Sequence, residues 1–210
     1  EDFLTMWQIL KEGKLGEVYR VESRVHGSRG IPGDWRKEKE HGGGMILDWG
    51  VHLLDQILYM MRDHKLNRVY ATVTNVTNQL VDDGLEVGTS NFINLPRWYI
   101  LGQNGTAVIE NWELDGKLVC ASGKNETDVV PVKTAAGLTK TMAPRREDTI
   151  HTEALPVVKS DIRDFYRNVM KVLDGEEEPK IKLPEVMRVM RLMEAIFESA
   201  EKHEVVIFEQ

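Results

Sequence analysis

The stretch that most constrains this chain is Gly42 to Arg62, GGGMILDWGVHLLDQILYMMR. It is mostly apolar, but Asp48, His52 and Asp55 interrupt it at spacings of four and three. At about 100° per residue of an α-helix, those three side chains fall within roughly 60° of one another. Apolar residues from Met45 to Met61 cover almost every other direction. A helix that is apolar nearly all round is expected to be buried. Two carboxylates and an imidazole on one strip of such a helix require paired partners or a site to serve.

Spacing alone leaves two readings open: a functional strip, or a satisfied buried polar network. His52 is the best candidate general acid or base in the chain, because an imidazole ordinarily titrates near neutrality. Asp48, one turn earlier, would bond a ring nitrogen and stabilise the imidazolium, or hold a substrate hydroxyl. Gly44, a further turn back, would leave room for a ligand above Asp48. Asp55 would orient His52 or pair with an arginine. A metal held by Asp48, His52 and Asp55 would need further ligands, and neither His26 nor His41 has diagnostic spacing, so no metal site is expected.

The 210 residues are 41% hydrophobic, enough for a sizeable core. The formal net charge is −7, from 34 acids against 27 Lys and Arg. The basic residues are scattered, so no nucleic-acid footprint is expected. The single cysteine, Cys120, excludes an intramolecular disulfide framework and suits a reducing, cytoplasmic compartment. No signal-peptide pattern is present, and the opening stretch is too charged and too short to span a membrane. The chain starts at Glu1, already inside a helical pattern, and is expected to be a piece of something longer.

In chain order, Asp2 to Glu12 reads as an amphipathic helix stopped at Gly13. VYRVESRVH (18–26) reads as a strand. Residues 27–44, with six glycines and a proline in eighteen residues, read as an irregular loop. Beyond the key helix, Arg68 to Thr77 and Leu85 to Ile93 are expected strands. Asn104-Gly105 signals a hairpin between two β-rich runs. LVCA (118–121) and Thr127 to Lys133 are further strands, and 137–156 reads as a polar loop or lid. Ser160 is the expected N-cap of a helix running to Leu173. Pro184 opens the last helix, to about Glu201, and VVIF closes the chain as a strand. This order predicts an α+β fold, a mostly antiparallel open sheet with helices packed on one face.

Several of these segments carry a family resemblance. GDWRKEKEHGGGMILDWGVHLLDQILYMM closely resembles the C-terminal domain of the Gfo/Idh/MocA oxidoreductases, sugar and inositol dehydrogenases dependent on NAD or NADP. Its Trp-Arg pair, Gly-Gly-Gly turn and D-x-G-x-H-x-x-D helix are here Trp35-Arg36, Gly42 to Gly44, and Asp48, Gly50, His52 and Asp55. GKLGEVYRVESR, LGQNGTAVIENW and the segment from Asp161 to Ala200 extend the likeness over most of the chain. The resemblance implies that residues 1–210 are a single substrate-binding and oligomerising C-terminal domain. It implies that His52 takes the hydroxyl proton while Asp48 assists and orients it. Trp35 and Arg36 would line the cleft, with Arg36 also readable as a solvated residue beside an aromatic anchor. His151 would reach the substrate from its polar segment, or be a plain surface histidine.

The chain departs from the family pattern in two places. It has no G-x-G-x-x-G fingerprint and no Glu-Lys-Pro, so the NAD or NADP of the full-length protein would be bound elsewhere and the isolated chain would be inactive. At VDDGLEVGTSNF, relatives usually have a hairpin where Gly84 here runs directly into Leu85. The expected partners are a small hydroxyl substrate and further copies of the chain, packed as a homodimer or homotetramer through an open sheet face; the strand aromatics Trp98, Tyr99 and Trp112 are expected to pack on the sheet and, where a face lacks helices, to bury against the next copy. The alternative is a non-catalytic oligomerisation domain whose Asp48–His52–Asp55 strip is purely structural.

Overall fold

The computed structural model describes residues 1–84, 86–124 and 129–209. Along the chain these form α1 (Asp2–Lys11), β1 (Val18–Ser23), β2 (Val25–His26), α2 (Val51–Met60), β3 (Arg68–Val69), β4 (Val87–Gly88), β5 (Trp98–Gly102), β6 (Gly105–Ile109) and β7 (Gly116–Ala121). They continue with β8 (Val132–Thr134), β9 (Gly137–Thr139), β10 (Ile150–Glu153), α3 (Arg163–Leu173), α4 (Leu183–Lys202) and β11 (Val206–Ile207). The architecture is α+β, and the chain divides into two compact units: 2–22 with 98–157, and 23–97 with 158–210 plus Glu1. No helix among the described residues is long and apolar enough to cross a membrane.

The first unit is an open sheet in the order β1-β5-β6-β7-β10, with antiparallel pairing from β5 through β10. The predicted turn at Asn104-Gly105 joins β5 to β6, with Gly102 paired to Gly105. Alternation places Trp98, Ile100, Ala107, Ile109 and Leu118 on one face, all with no exposed surface. Helix α1 packs against β6 and buries Met6 and Ile9. Trp98 Nε1 donates to Asp2 Oδ2 at 3.0 Å, which satisfies the indole N–H that burial would otherwise strand. Glycine is required at Gly102, because a Cβ there would lie 2.2 Å from the Leu15 carbonyl oxygen.

In the second unit, α2 and α4 pack around Leu58, Val69, Val189, Leu192, Met193 and Phe208. Strand β11 pairs antiparallel with β3, while β2 pairs parallel with β4. The expected strand from Arg68 to Thr77 shrinks to two residues. The amides of Val76, Thr77 and Asn78 are taken by the Asp83 carboxylate rather than by a neighbouring strand. The expected strand from Leu85 to Ile93 is reduced to Val87–Gly88, and the Gly84–Leu85 junction lies outside the described residues, as do Thr127 and Asp128 of the strand expected at Thr127 to Lys133.

Residues 137–156 are not one loop, since β9, a 3₁₀ turn (Glu147–Thr149) and β10 all fall within them. Ser160 does not cap α3. The N-cap position falls on Ile162, which makes no side-chain cap bond; Asp161 before it accepts from the Arg163 amide at 3.0 Å, and its contacts to Arg163 and Arg167 hold its carboxyl down at about 2.

Candidate functional site

The predicted buried helix is neither regular nor buried all round. Ile46–Gly50 form a π-helical turn in which the Val51 amide reaches back to the Ile46 carbonyl, and regular α-helix starts only at Val51. Angles drawn at α-helical pitch therefore do not describe the strip from Asp48 to Asp55. Such turns are frequent at functional sites. Leu47 and Trp49 stand 38% and 40% exposed on this turn.

The three glycines fasten the preceding loop to the start of this turn. The Gly43 amide donates to the Glu38 carbonyl and the Gly44 amide to the Arg36 carbonyl, each at 3.0 Å. A Cβ on Gly43 would lie 2.5 Å from the Arg36 carbonyl oxygen. Gly44, at φ +110°, has the position of its missing Cβ filled by Asp82, whose Oδ1 is 2.3 Å away. The room expected for a ligand at Gly44 is thus occupied from within. Asp82 also caps the turn: its Oδ2 accepts from the Ile46 amide at 2.8 Å and its carbonyl from the Met45 amide at 3.1 Å.

With its backbone pinned, Arg36 reaches Asp48. Arg36 Nε donates to Asp48 Oδ2 at 2.7 Å, and Nη1 donates to Asp34 Oδ2 at 2.9 Å. Asp34 also accepts from the Arg36 amide at 3.0 Å, and the guanidinium lies over the Trp35 ring at 4.6 Å. The Asp48 hydrogen bond, and then the charges of Asp48 and Asp34, strengthen the hold of Arg36 on its proton. Arg36 is therefore an engaged residue, not a merely solvated one.

Asp48 bonds Arg36 and not a ring nitrogen of His52. His52 is exposed, makes no hydrogen bond among the described residues, and meets Trp49 edge-on at 6.1 Å between ring centroids. Asp55 does not bond His52 either. It sits in a small depression with Tyr59, Arg62, Glu185 and Arg188. Partial burial, and then the Glu185 charge, push its carboxyl above the usual range, against the opposing pull of His52.

His151 lies on β10, in the sheet unit, with Nε2 2.9 Å from Glu153 Oε1. Trp35, Arg36, Asp48 and His52 belong to the other unit. Two cavities open in that other unit. One of about 430 Å³ is lined by polar residues including Ser28, Arg29, Lys37 and Ser90. The other, of about 540 Å³, is lined mainly by apolar residues such as Leu54, Ile57 and Leu192. Neither is lined by Asp48, whose side chain is largely covered, or by the exposed His52.

The supporting carboxylates Asp34, Asp82 and Asp83 went unassigned in the sequence. Asp34 had a signal, since an Asp two residues before Arg36 can cap the turn that holds it. Asp82 acts on Ile46, 36 residues upstream, and Asp83 on amides five to seven residues before it, and neither follows a helix or strand pattern.

Residues 3–94 match the GFO/IDH/MocA C-terminal domain. The matched span contains Trp35, Arg36, Gly44, Asp48 and His52, but not His151. Over 99% of its length the chain aligns at 24% identity with scyllo-inositol 2-dehydrogenase (NADP(+)) IolW of Bacillus subtilis strain 168 and covers 62% of it. An NAD-binding protein from Listeria innocua shares 43% identity at a TM-score of 0.91, over 99% of this chain and 64% of that one. An oxidoreductase from Bacillus cereus, at 15% identity and a TM-score of 0.68, shares the fold over all of this chain and 63% of its own length. The chain thus spans less than two thirds of the length of each of these relatives.

Proposed function

We propose that this chain is the substrate-binding and catalytic half of an NAD(P)-dependent dehydrogenase acting on a hydroxyl carbon of a sugar, polyol or inositol-like compound. One observation carries the reading. An exposed imidazole without hydrogen bonds, His52, follows an Arg36-anchored carboxylate, Asp48, across a π-helical turn. The relative named as an inositol dehydrogenase supports the substrate class, and the NAD-binding relative supports the cofactor class.

The glycines at 42–44 do not fit a dinucleotide, because the amides that would cradle a pyrophosphate already donate to the Lys39, Glu38 and Arg36 carbonyls. The nicotinamide of the full-length protein, which accepts hydride from a carbinol carbon, is therefore assigned to residues other than these glycines. What this chain contributes is the proton. His52 accepts it from the substrate hydroxyl, and Asp48, positioned by its bond to Arg36, stabilises the resulting imidazolium or holds a neighbouring hydroxyl. Trp35 stacks on Arg36 and limits its freedom. On the same reading, the sheet face bearing Tyr99, Leu101 and Val119 meets a second copy of the chain, and the protein works in the cytoplasm.

His52→Asn in the intact protein tests this. The expected outcome is a fall in kcat of about 10²- to 10⁴-fold with an unchanged melting temperature, because His52 holds nothing in place. A second reading, a non-catalytic interaction domain, draws on the fact that Asp48 bonds Arg36 rather than His52. That reading expects Asp48→Asn to lower the melting temperature with no specific kinetic loss.

A further inference from the structure

We infer that Cys120, His151 and Glu153 form a binding site for a divalent cation of the zinc type at the β10 edge of the sheet. The ladder pairs His151 with Cys120 and Glu153 with Leu118. His151 and Glu153, two residues apart on β10, therefore share the face of Cys120 and Leu118. One ligand atom from each of Cys120, His151 and Glu153 lies within 4.8 Å of the others, and His151 Nε2 is 2.9 Å from Glu153 Oε1. Ligands around one zinc, each about 2.0 to 2.3 Å from the metal, stand only somewhat closer together than this. Small side-chain rotations on a fixed sheet would close the set. A thiolate with an imidazole and a carboxylate selects zinc or cobalt over magnesium or calcium, which prefer all-oxygen shells. Three protein ligands leave a fourth position open to water.

Lys14 occupies the ground a cation would take. Its Nζ lies 2.7 Å from Glu153 Oε2 and 3.2 Å from Glu12 Oε2, and its carbonyl faces the Cys120 thiol at 3.8 Å. The Glu12 contact gives the ammonium a second partner when Glu153 turns to metal. Binding exchanges the thiol proton of Cys120 for the metal and releases it to solvent.

Cys120 is the only cysteine of the 210 residues, which gives the experiment a specific reporter. The purified protein, stripped with chelator and kept reduced, is titrated with Co²⁺ and then Zn²⁺. The expected result is one equivalent of cobalt with a thiolate-to-cobalt charge-transfer band, displaced by zinc, and slower alkylation of Cys120 in the presence of zinc. Cys120→Ser abolishes the band. The exposed His151→Asn weakens zinc by more than about tenfold, the loss that even an outer partner of a ligand produces, and Lys14→Met tightens binding. Absence of the band, or unchanged zinc affinity in His151→Asn, overturns the site. Should Cys120→Ser fail to fold, the surface substitution His151→Asn decides alone.

Discussion

Residues 98–109 and residues 34–83 satisfy their backbone amides by different means. In β5 and β6 each strand answers the other, from Trp98 opposite Ile109 to Gly102 opposite Gly105, and alternate side chains drop into an apolar face. Between Asp34 and Asp83 much of the ordering comes from carboxylates aimed at backbone. Asp34 takes the Arg36 amide, Asp82 that of Ile46, and Asp83 those of Val76, Thr77 and Asn78. The sheet is therefore vulnerable to a change of volume and the loop region to a change of charge. The first vulnerability is indifferent to pH, while the second depends on it.

The sharpest break in the sheet is Trp98→Ala. The side chain has no exposed surface, and its removal leaves a cavity beneath α1 and deletes the indole bond to Asp2. A loss of about 3 to 5 kcal/mol is expected in denaturant unfolding, nearly the same at every pH where the protein stays folded. A cost of under about 1 kcal/mol would mean that the face closes over the gap and does not depend on this packing.

The matching break in the loop region is Asp83→Asn, expected to cost about 2 to 3 kcal/mol through weakened bonds to the three amides and the Thr77 hydroxyl. Burial alone would raise the Asp83 carboxyl, but the Thr77 hydroxyl and the three amides outweigh it and hold it below its ordinary value. A carboxylate with a lowered native pKa contributes stability that is complete above its unfolded value, about 3.9, and is lost as pH falls through the native one. Wild-type protein should thus lose stability below about pH 4 more steeply than Asp83→Asn does. Equal acid slopes would show that this carboxylate is not what orders residues 74–78.

The same contrast explains what could be read in advance. The hairpin at Asn104-Gly105, the LVCA strand and the helix opened by Pro184 were legible because turn chemistry and period-two or helical alternation act between near neighbours. The segment from Arg68 to Thr77 alternates just as well, yet Asp83 diverts its amides and Tyr70 and Val76 stay exposed. In the site, the identities of Trp35, Arg36, Asp48 and His52 were visible in the motif, but their pairing was not. A π turn between Asp48 and His52 shifts the angular argument. Asp48 found its partner in a guanidinium twelve residues upstream, which the glycine turn brings within reach.

The mildest and most discriminating test sets Asp82 against Asp83, its neighbour in sequence. Burial pushes the Asp82 carboxyl above its ordinary value, and the amides of Ile46 and Met45 only partly offset this. The sign is opposite to that of Asp83. A carboxylate with a raised native pKa costs stability once ionised, so its contribution improves as pH falls from neutrality toward the unfolded value of about 3.9. Asp82→Asn keeps an oxygen for the Ile46 amide and the shape that fills the space beside Gly44, while removing the buried charge. Thermal unfolding at neutral pH should show a gain of up to about 1 kcal/mol, with a flatter profile on mild acidification. A loss instead would mean that a negative charge at the N-terminus of the turn is worth more to its backbone amides than its burial costs, and both neighbours would then stabilise the loop region through charge.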